Sequence, residues 1–382
     1  MPYPPLAAYQ IDDPATLRTP SLLIFQQLLE HNLDQMVALA GDPRRLRPHC
    51  KTHKCPRIIQ MMKQRGIENH KCATLAEAEM LANQGVAHVM IAYPLVGPNL
   101  GLLVQLVNKF PGTRFAALVD HPQHLELLAA AANEADSPIE VLVDLNPGMH
   151  RTGIQPGPRA IELYEAIAAC PGLAVGGLHW YDGHHRQADR GQRETAVLAG
   201  WQALTRFRDL LLLSGLPIPR IVAAGTGSFP ILAELGEPQL ELSPGTTTLM
   251  DDDLIRRFPE LDLFPAQGIL TRVVSANRSG ELTLDIGHKA CAADPPQGQR
   301  LSFPRLPDAE EVLHSEEHLV IRTAAAGEFR LGDTLVAISR HACPVSVLYS
   351  EATIIDQGAV VDHWPLAARD RWPVEPAMNR SE

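Results

Sequence analysis

The stretch Arg47-Pro48-His49-Cys50-Lys51-Thr52-His53-Lys54 gathers three cations and two imidazoles behind an apolar approach and ahead of a helix-like run. An amine attacks a carbonyl only when unprotonated, and nearby positive charge and burial both favour that form. Lys51 stands at short range from Arg47, His49, His53 and Lys54. That setting suits a lysine that holds an aldehyde cofactor as a Schiff base. Exposed to water, the same octapeptide would be no more than a solvated basic turn, so its surroundings decide.

Outward from it, between Thr19 and about Pro244, short apolar runs alternate with longer helical patterns. Strand candidates are Ser21–Phe25, Leu46–Lys51, His70–Thr74, His88–Tyr93, Arg114–Asp120, Ile139–Leu145, Leu173–Tyr181, Arg220–Gly225 and Leu240–Ser243. Helix candidates are Gln26–Leu39, Leu75–Gln84, Gly101–Phe110, Leu125–Ala135, Pro158–Ala169 and Ala196–Leu213, with Gly or Pro at most joints. Repeated strand-helix units imply an α/β fold with a parallel sheet. About eight such units suggest a (β/α)8 TIM-type barrel, with its active site at the C-terminal strand ends. An open doubly wound sheet fits the pattern too. The polar residues at the strand ends are Lys51, Thr74, Tyr93, Asp120, Asp144 and Tyr181, with Gly225 beside them.

After about Asp253 the pattern changes to short β-like runs: Gly268–Ser275, Glu281–Ile286, His318–Arg322, Thr334–Ile338 and Ala359–Trp364. We expect a barrel over residues 19–253 and an antiparallel β domain over 254–375, with 1–18 packed on the latter. Residues after Trp372 read as a loose tail.

A chain of 382 residues can bury a sizeable core, and its net charge of -11 argues against nucleic acid or an acidic membrane as partner. No apolar run reaches the ~20 residues of a membrane span. The start, Met1-Pro2-Tyr3-Pro4-Pro5, does not read as a signal peptide. The six cysteines are scattered without a CxxC. Together these predict reduced thiols and a cytoplasmic protein.

Four further stretches carry chemistry. Val222-Ala223-Ala224-Gly225-Thr226-Gly227-Ser228-Phe229 follows a strand, and its glycines let backbone N–H groups approach a phosphate. Ser243-Pro244-Gly245-Thr246-Thr247 is a second small-residue turn, and two such turns on adjacent late strands match the phosphate site common in barrels. Either alone is as readily a tight turn. Asp144-Leu145-Asn146-Pro147-Gly148-Met149-His150-Arg151-Thr152-Gly153 ends a strand and presents Arg151, a cation for an anionic ring oxygen or else a surface loop residue. Leu178-His179-Trp180-Tyr181-Asp182-Gly183-His184-His185 offers acid/base groups, or a structural hydrogen-bond cluster. In Arg340-His341-Ala342-Cys343-Pro344, His341 and Cys343 on a strand would face the same side and suit Zn²⁺ with open positions left for water or substrate.

In this order the motifs resemble those of the D-threonine aldolase / D-serine dehydratase group of pyridoxal-phosphate enzymes, which share the alanine-racemase fold (fold type III). The matching residues are Arg47-Pro48-His49-x-Lys51-Thr52-His53-Lys54, Gly148-Met149-His150-Arg151-Thr152-Gly153, Tyr181-x-Gly183-His184, Ser315-Glu316-Glu317-His318 and His341-x-Cys343-Pro344. The resemblance covers nearly the whole chain. It implies a barrel bearing pyridoxal 5'-phosphate, a C-terminal β domain, a homodimer, and a divalent metal (Zn, Mn or Mg) on His341 and Cys343. By the same match Lys51 holds the cofactor, Arg151 faces its ring oxygen and Tyr181 lines its pocket. Gly225, Thr226, Gly245 and Thr246 surround its phosphate, and His184 or His185 is the base. Thr247-Thr248-Leu249-Met250-Asp251 departs from the family in lacking aromatic residues.

The implied activity is cleavage of a β-hydroxy-D-amino acid, of the D-threonine aldolase type, giving glycine and acetaldehyde from D-threonine. The alternative is a D-serine or D-threo-3-hydroxyaspartate dehydratase giving a 2-oxo acid and ammonia, toward which Cys343 points. A non-catalytic pyridoxal-phosphate homeostasis protein would lack the C-terminal module. A racemase would need a tyrosine from that module, where only Tyr349 follows Tyr181.

Overall fold

The computed structural model describes residues 3–373. The tail expected after Trp372 lies, from residue 374 onward, outside the described residues. Two compact units form: Val37–Lys51 with Ile58–Gly245, and Met1–Met36 with Thr52–Arg57 and Thr246–Arg369.

Ser21–Phe25 (β1) is followed by seven strands of the first unit: Asn69–Cys72 (β2), His88–Ile91 (β3), Arg114–Val119 (β4), Ile139–Asp144 (β5), Leu173–Trp180 (β6), Ile221–Ala223 (β7) and Leu240–Leu242 (β8). β2 to β8 pair in sequence order, all parallel. The segment 46–49 then bridges both edges. Leu46 pairs with Leu242 and His49 with Lys71. Arg47 N–H donates to Leu242 O at 2.7 Å, and Lys71 N–H to Pro48 O at 2.9 Å. The sheet thus closes into a barrel, with this segment as its remaining stave. It is shorter than the expected strand Leu46–Lys51 because Pro48 has no N–H to give a ladder, and Cys50–Thr52 turns into a 3₁₀ helix.

The barrel core follows from composition. All six residues of β5 are buried, and Met90, Ala116, Leu118, Leu142 and Val222 meet inside. Helices return the chain between strands. Three in succession, Pro98–Lys109, Pro122–Ala132 and Pro158–Ala168, begin at a proline, whose missing N–H costs nothing there. Gly177, at φ +114°, lets β6 lie so close to β7 that a Cβ would sit 2.0 Å from Arg220 O.

The second unit is a sheet of β1 with Gln267–Ser275 (β9), Glu281–Leu284 (β10), Leu301–Ser302 (β11), Glu310–His314 (β12), Leu319–Arg322 (β13), Thr334–Ser339 (β14), Glu351–Asp356 (β15) and Ala359–Pro365 (β16). Ser21–Phe25 reads in sequence as the first barrel strand, and here it differs. It lies between β9, antiparallel, and β15, parallel. A five-residue apolar run fits any strand buried on both faces, so order along the chain misplaces it. The sheet is therefore mixed at this strand and antiparallel elsewhere. In the same unit Tyr9 Oη donates to Pro265 O at 3.0 Å, and Asp12 N–H to Gly358 O at 2.9 Å.

Candidate functional site

Charged residues enter the barrel at both ends of its strands. At the starts, buried Arg47 pairs with Glu241 and reaches His70 O and His88 O at 3.4 Å. His88 Nε2 lies 3.0 Å from Glu140 Oε2, Arg220 also pairs with Glu140, and Arg220 Nε sits 3.4 Å from Glu241. Burial alone would raise the Glu140 carboxyl, but the His88 hydrogen bond and the charges of His88 and Arg220 outweigh it and bring it down to about 2.

At the strand ends the pattern is different. Lys51 Nζ, Lys71 Nζ and the Arg151 guanidinium carbon lie 5.9, 5.4 and 5.1 Å from the centroid of the Tyr181 ring. None of the three cations makes an ion pair among the described residues. Tyr181 owes its place to Gly183, where a Cβ would sit 2.3 Å from Tyr181 Oη. The Tyr-x-Gly spacing is therefore steric.

Arg151 is presented by a braced turn. Thr152 Oγ1 donates to Asp144 Oδ2 at 2.8 Å, and Gly153 N–H to Asp120 Oδ2 at 2.9 Å. Gly153 has φ +98° and no room for a side chain, since a Cβ would lie 2.6 Å from Leu145 C. Asp144 also holds His179 Nδ1 at 2.7 Å, while His179 Nε2 is buried with no hydrogen-bond partner. Burial opposes the Asp144 charge, but His179 and Thr152 overcome it and lower its pKa. Thus Asp120 and Asp144, at strand ends, act as braces. Thr74 likewise caps a helix by accepting Glu77 N–H at 3.1 Å, and Tyr93 is exposed.

The rings of His184 and His185 lie 4.1 Å apart. Burial lowers the His185 pKa, and the charge of His184 adds to this against an opposing Asp182. The Gly225 turn is closed by Asp182, whose Oδ1 accepts Gly225 N–H at 2.9 Å and Ser228 Oγ at 2.6 Å. Gly225 N–H is therefore already engaged, and Thr226 is half-buried beside it. Gly245 follows β8 and is half-buried. Near the lysine, His49, Cys50 and Glu77 place three possible ligand atoms within 4.8 Å of one another. Here His49 Nδ1 accepts Lys51 N–H at 3.2 Å, and Glu77 Oε2 accepts Ala73 N–H at 2.6 Å.

In the second unit, His341 and Cys343 are not on a strand as expected. After β14 the chain breaks at His341 into a helical turn, Ala342–Val345, whose first N–H donates to buried Asp251 at 3.2 Å. The two side chains still hydrogen-bond to each other. His341 Nδ1 lies 2.6 Å from Asp294 Oδ2. Cys343 Sγ lies 3.1 Å from Thr52 Oγ1 and 3.7 Å from Thr246 Oγ1. Burial disfavours charge on His341, but Cys343, Asp294 and Asp251 prevail and raise its pKa to about 9. Burial pushes Asp251 up to about 6. Asp294 and Asp251 carried no signal in sequence, because neither stands in a motif with His341. The Ser315–His318 motif forms the turn between β12 and β13, closed by Ser315 N–H donating to His318 O at 2.8 Å.

The family model for the alanine racemase N-terminal domain matches residues 24–247. The chain belongs to the alanine racemase N-terminal domain family. Residues 266–355 match a second family model, "Putative serine dehydratase domain". The chain is 29% identical to a D-threonine aldolase of Arthrobacter sp, over 94% of this chain and 95% of that one. It is 26% identical to a 3-hydroxy-D-aspartate aldolase of Paracoccus denitrificans, over 94% of each. It is 22% identical to a D-threo-3-hydroxyaspartate dehydratase of Delftia sp., over 91% of this chain and 97% of that one. The crystal structure of D-threonine aldolase from Filomicrobium marinum superposes with a TM-score of 0.87 at 29% identity, covering 93% of this chain and 96% of that one. The resemblance to the D-threonine aldolase / D-serine dehydratase group of pyridoxal-phosphate enzymes therefore holds over nearly the whole chain, as does the alanine-racemase fold. No helix among the described residues is long and apolar enough to cross a membrane.

Proposed function

We propose that the protein is a lyase dependent on pyridoxal phosphate and a divalent metal, cleaving β-hydroxy-D-amino acids in the manner of a D-threonine aldolase. The observation that carries this reading is the set of three cations without ion pairs around Tyr181, one of them the motif lysine. Positive charge without a counter-charge, on buried Lys71, half-buried Lys51 and exposed Arg151, fits an anionic phosphate-bearing cofactor. The buried, unpartnered His179 Nε2 offers it a further polar contact. For the metal, His341, Cys343 and Asp294 supply nitrogen, sulfur and oxygen donors of the kind that divalent zinc takes.

Bound pyridoxal phosphate would supply an electron sink for charge released at the substrate α-carbon, and a metal would supply a Lewis acid for its β-hydroxyl. Lys51 would hold the cofactor through its aldehyde. Arg151, fixed by its braced turn, holds the ring oxygen anionic. Tyr181 lines the pocket wall. Gly225, Thr226, Gly245 and Thr246 surround the phosphate, with Thr226 and Thr246 offering hydroxyls. His184 or His185 takes the β-hydroxyl proton, and burial, which disfavours charge on His185, favours the neutral imidazole that can accept it. The reading includes a homodimer, and a division of the chain into a cofactor domain to residue 253 and a metal-bearing domain beyond it.

Dehydration is the second reading, favoured by Cys343 and by the likeness to the hydroxyaspartate dehydratase. Product analysis separates the two. The loaded protein is incubated with D-threonine, with L-threonine as control. Glycine and acetaldehyde are expected; 2-oxobutyrate and ammonia would replace the aldolase reading with the dehydratase.

A further inference from the structure

Lys71 lies in β2, one residue before its end, beside the segment that carries Lys51, with His49 and Lys71 paired across that edge. It is 2% exposed. Its Nζ lies 5.4 Å from the Tyr181 centroid, on the ring that also gathers Lys51 and Arg151. The charged and titratable groups around it are Lys51, Arg47, Arg151, Asp144, Asp182 and His179. Both carboxylates are already committed: Asp144 to His179 and Thr152, and Asp182 to Gly225 and Ser228. Lys71 is thus a buried amine among cations, with no carboxylate free to pair with it.

We propose that Lys71 is a second anion-binding amine of the Lys51 site, meeting an anionic oxygen of the bound ligand alongside Arg151. The proposal rests on reading that site as the cofactor site. The oxygen belongs either to the aldehyde cofactor or to a substrate carboxylate. Burial, with the charges of Lys51 and Arg47 added, brings Lys71 down to about 7. At neutral pH about half of the amine is then neutral in the empty site, and that half takes a proton from solvent when the anion arrives, which leaves an ion pair in place of a buried amine without a counter-charge.

The chain has only six lysines, so ¹³Cε-lysine NMR of the full-length protein resolves them. In ligand-free protein the Lys71 resonance, assigned by its loss in Lys71→Met or Lys71→Arg, is expected to titrate near neutrality. Titration near the ordinary lysine value of about 10.4 overturns the proposal. On addition of pyridoxal 5'-phosphate above that midpoint, the resonance is expected to move to its protonated position. Weaker binding of pyridoxal phosphate to Lys71→Met by about tenfold or more, the scale of a charged hydrogen bond, with recovery in Lys71→Arg, assigns the oxygen to the cofactor. Unchanged cofactor binding with a similar rise in the KM for D-threonine assigns it to the substrate. No change in either overturns the proposal. Failure of the wild-type protein to take up pyridoxal phosphate, seen by absorbance, overturns the cofactor reading instead, and the ligand-free titration still decides whether Lys71 is the neutral amine.

Discussion

The two ends of the barrel hold the same kinds of side chain in opposite states. At the strand starts, Arg47, His88, Glu140, Arg220 and Glu241 interlock, each arginine against a carboxylate and His88 hydrogen-bonded to Glu140. At the strand ends, Lys51, Lys71 and Arg151 crowd one tyrosine while the nearby carboxylates brace backbone turns. One motif spans both, with Arg47 in the paired layer and Lys51 four residues on in the unpaired one. A neutralised buried layer needs nothing further and stabilises the fold. A layer with surplus charge is incomplete until an anion enters, and that asymmetry marks the working end.

The comparison is tested most severely at Lys51. Lys51→Ala should lower activity by at least about 10³-fold, as removal of a covalent catalytic group does. It should also abolish the visible absorbance of the loaded protein while leaving the unfolding midpoint near that of wild type. A variant that kept the absorbance would remove Lys51 from the cofactor site. The paired layer should respond in the reverse sense. Glu140→Ala leaves Arg220 and His88 without their shared carboxylate. Its expected cost is ~3–5 kcal/mol in urea denaturation, the scale of a broken buried ion pair. Cofactor absorbance should be intact in whatever fraction stays folded. A loss below ~1 kcal/mol would mean that the layer is solvated and belongs with surface pairs.

Much of the barrel was legible because its strands are short apolar runs set between helices, the pattern of a parallel sheet. The membership of Ser21–Phe25 was not, since its pairing with β9 and β15 depends on residues hundreds of positions away in the chain. Lys51, Arg151 and Tyr181 stand in motifs that could be read directly, and the structure brings all three to one ring. Lys71 does not: a lysine within the four-residue strand Asn-His-Lys-Cys gives no local sign that it points inward. The partners of His341 show the same limit. Asp294 stands 47 residues before it, and only folding brings them together. The His-x-Cys spacing suggested a strand by its period, whereas the Ala342 N–H bond to Asp251 starts a helical turn.

A milder change sharpens the contrast. Lys71→Met removes a cation of similar burial to those in the paired layer, but one that leaves no carboxylate stranded. In ligand-free protein it should shift stability by no more than ~1 kcal/mol, in either direction, since replacing a costly buried charge with an apolar chain is often neutral or better. Arg220→Met, measured alongside, removes the arginine shared by Glu140 and Glu241, leaving Glu140 to His88 and Arg114 and Glu241 to Arg47, and should cost several-fold more. Equal losses in the two variants would mean that Lys71 has a structural partner, and the unpaired layer would lose its meaning.

An effect confined to acid follows from Glu140, which also sets its sign. Folding holds this carboxyl at about 2, below its ordinary value of 4.5. The native state therefore prefers the ionised form, and the unfolded chain binds the proton more readily. The stability this provides is fully present above the ordinary value and drains away as pH falls toward 2. At neutral pH it contributes no slope at all. Across the acid window one such group adds at most ~1.4 kcal/mol per pH unit to the loss of stability. Glu140→Gln cannot titrate, so its stability, lower at the outset, should fall less steeply between those two values. Parallel curves for the variant and wild type would show that the paired layer does not hold Glu140 ionised. The two ends of the barrel would then differ in crowding alone, not in charge balance.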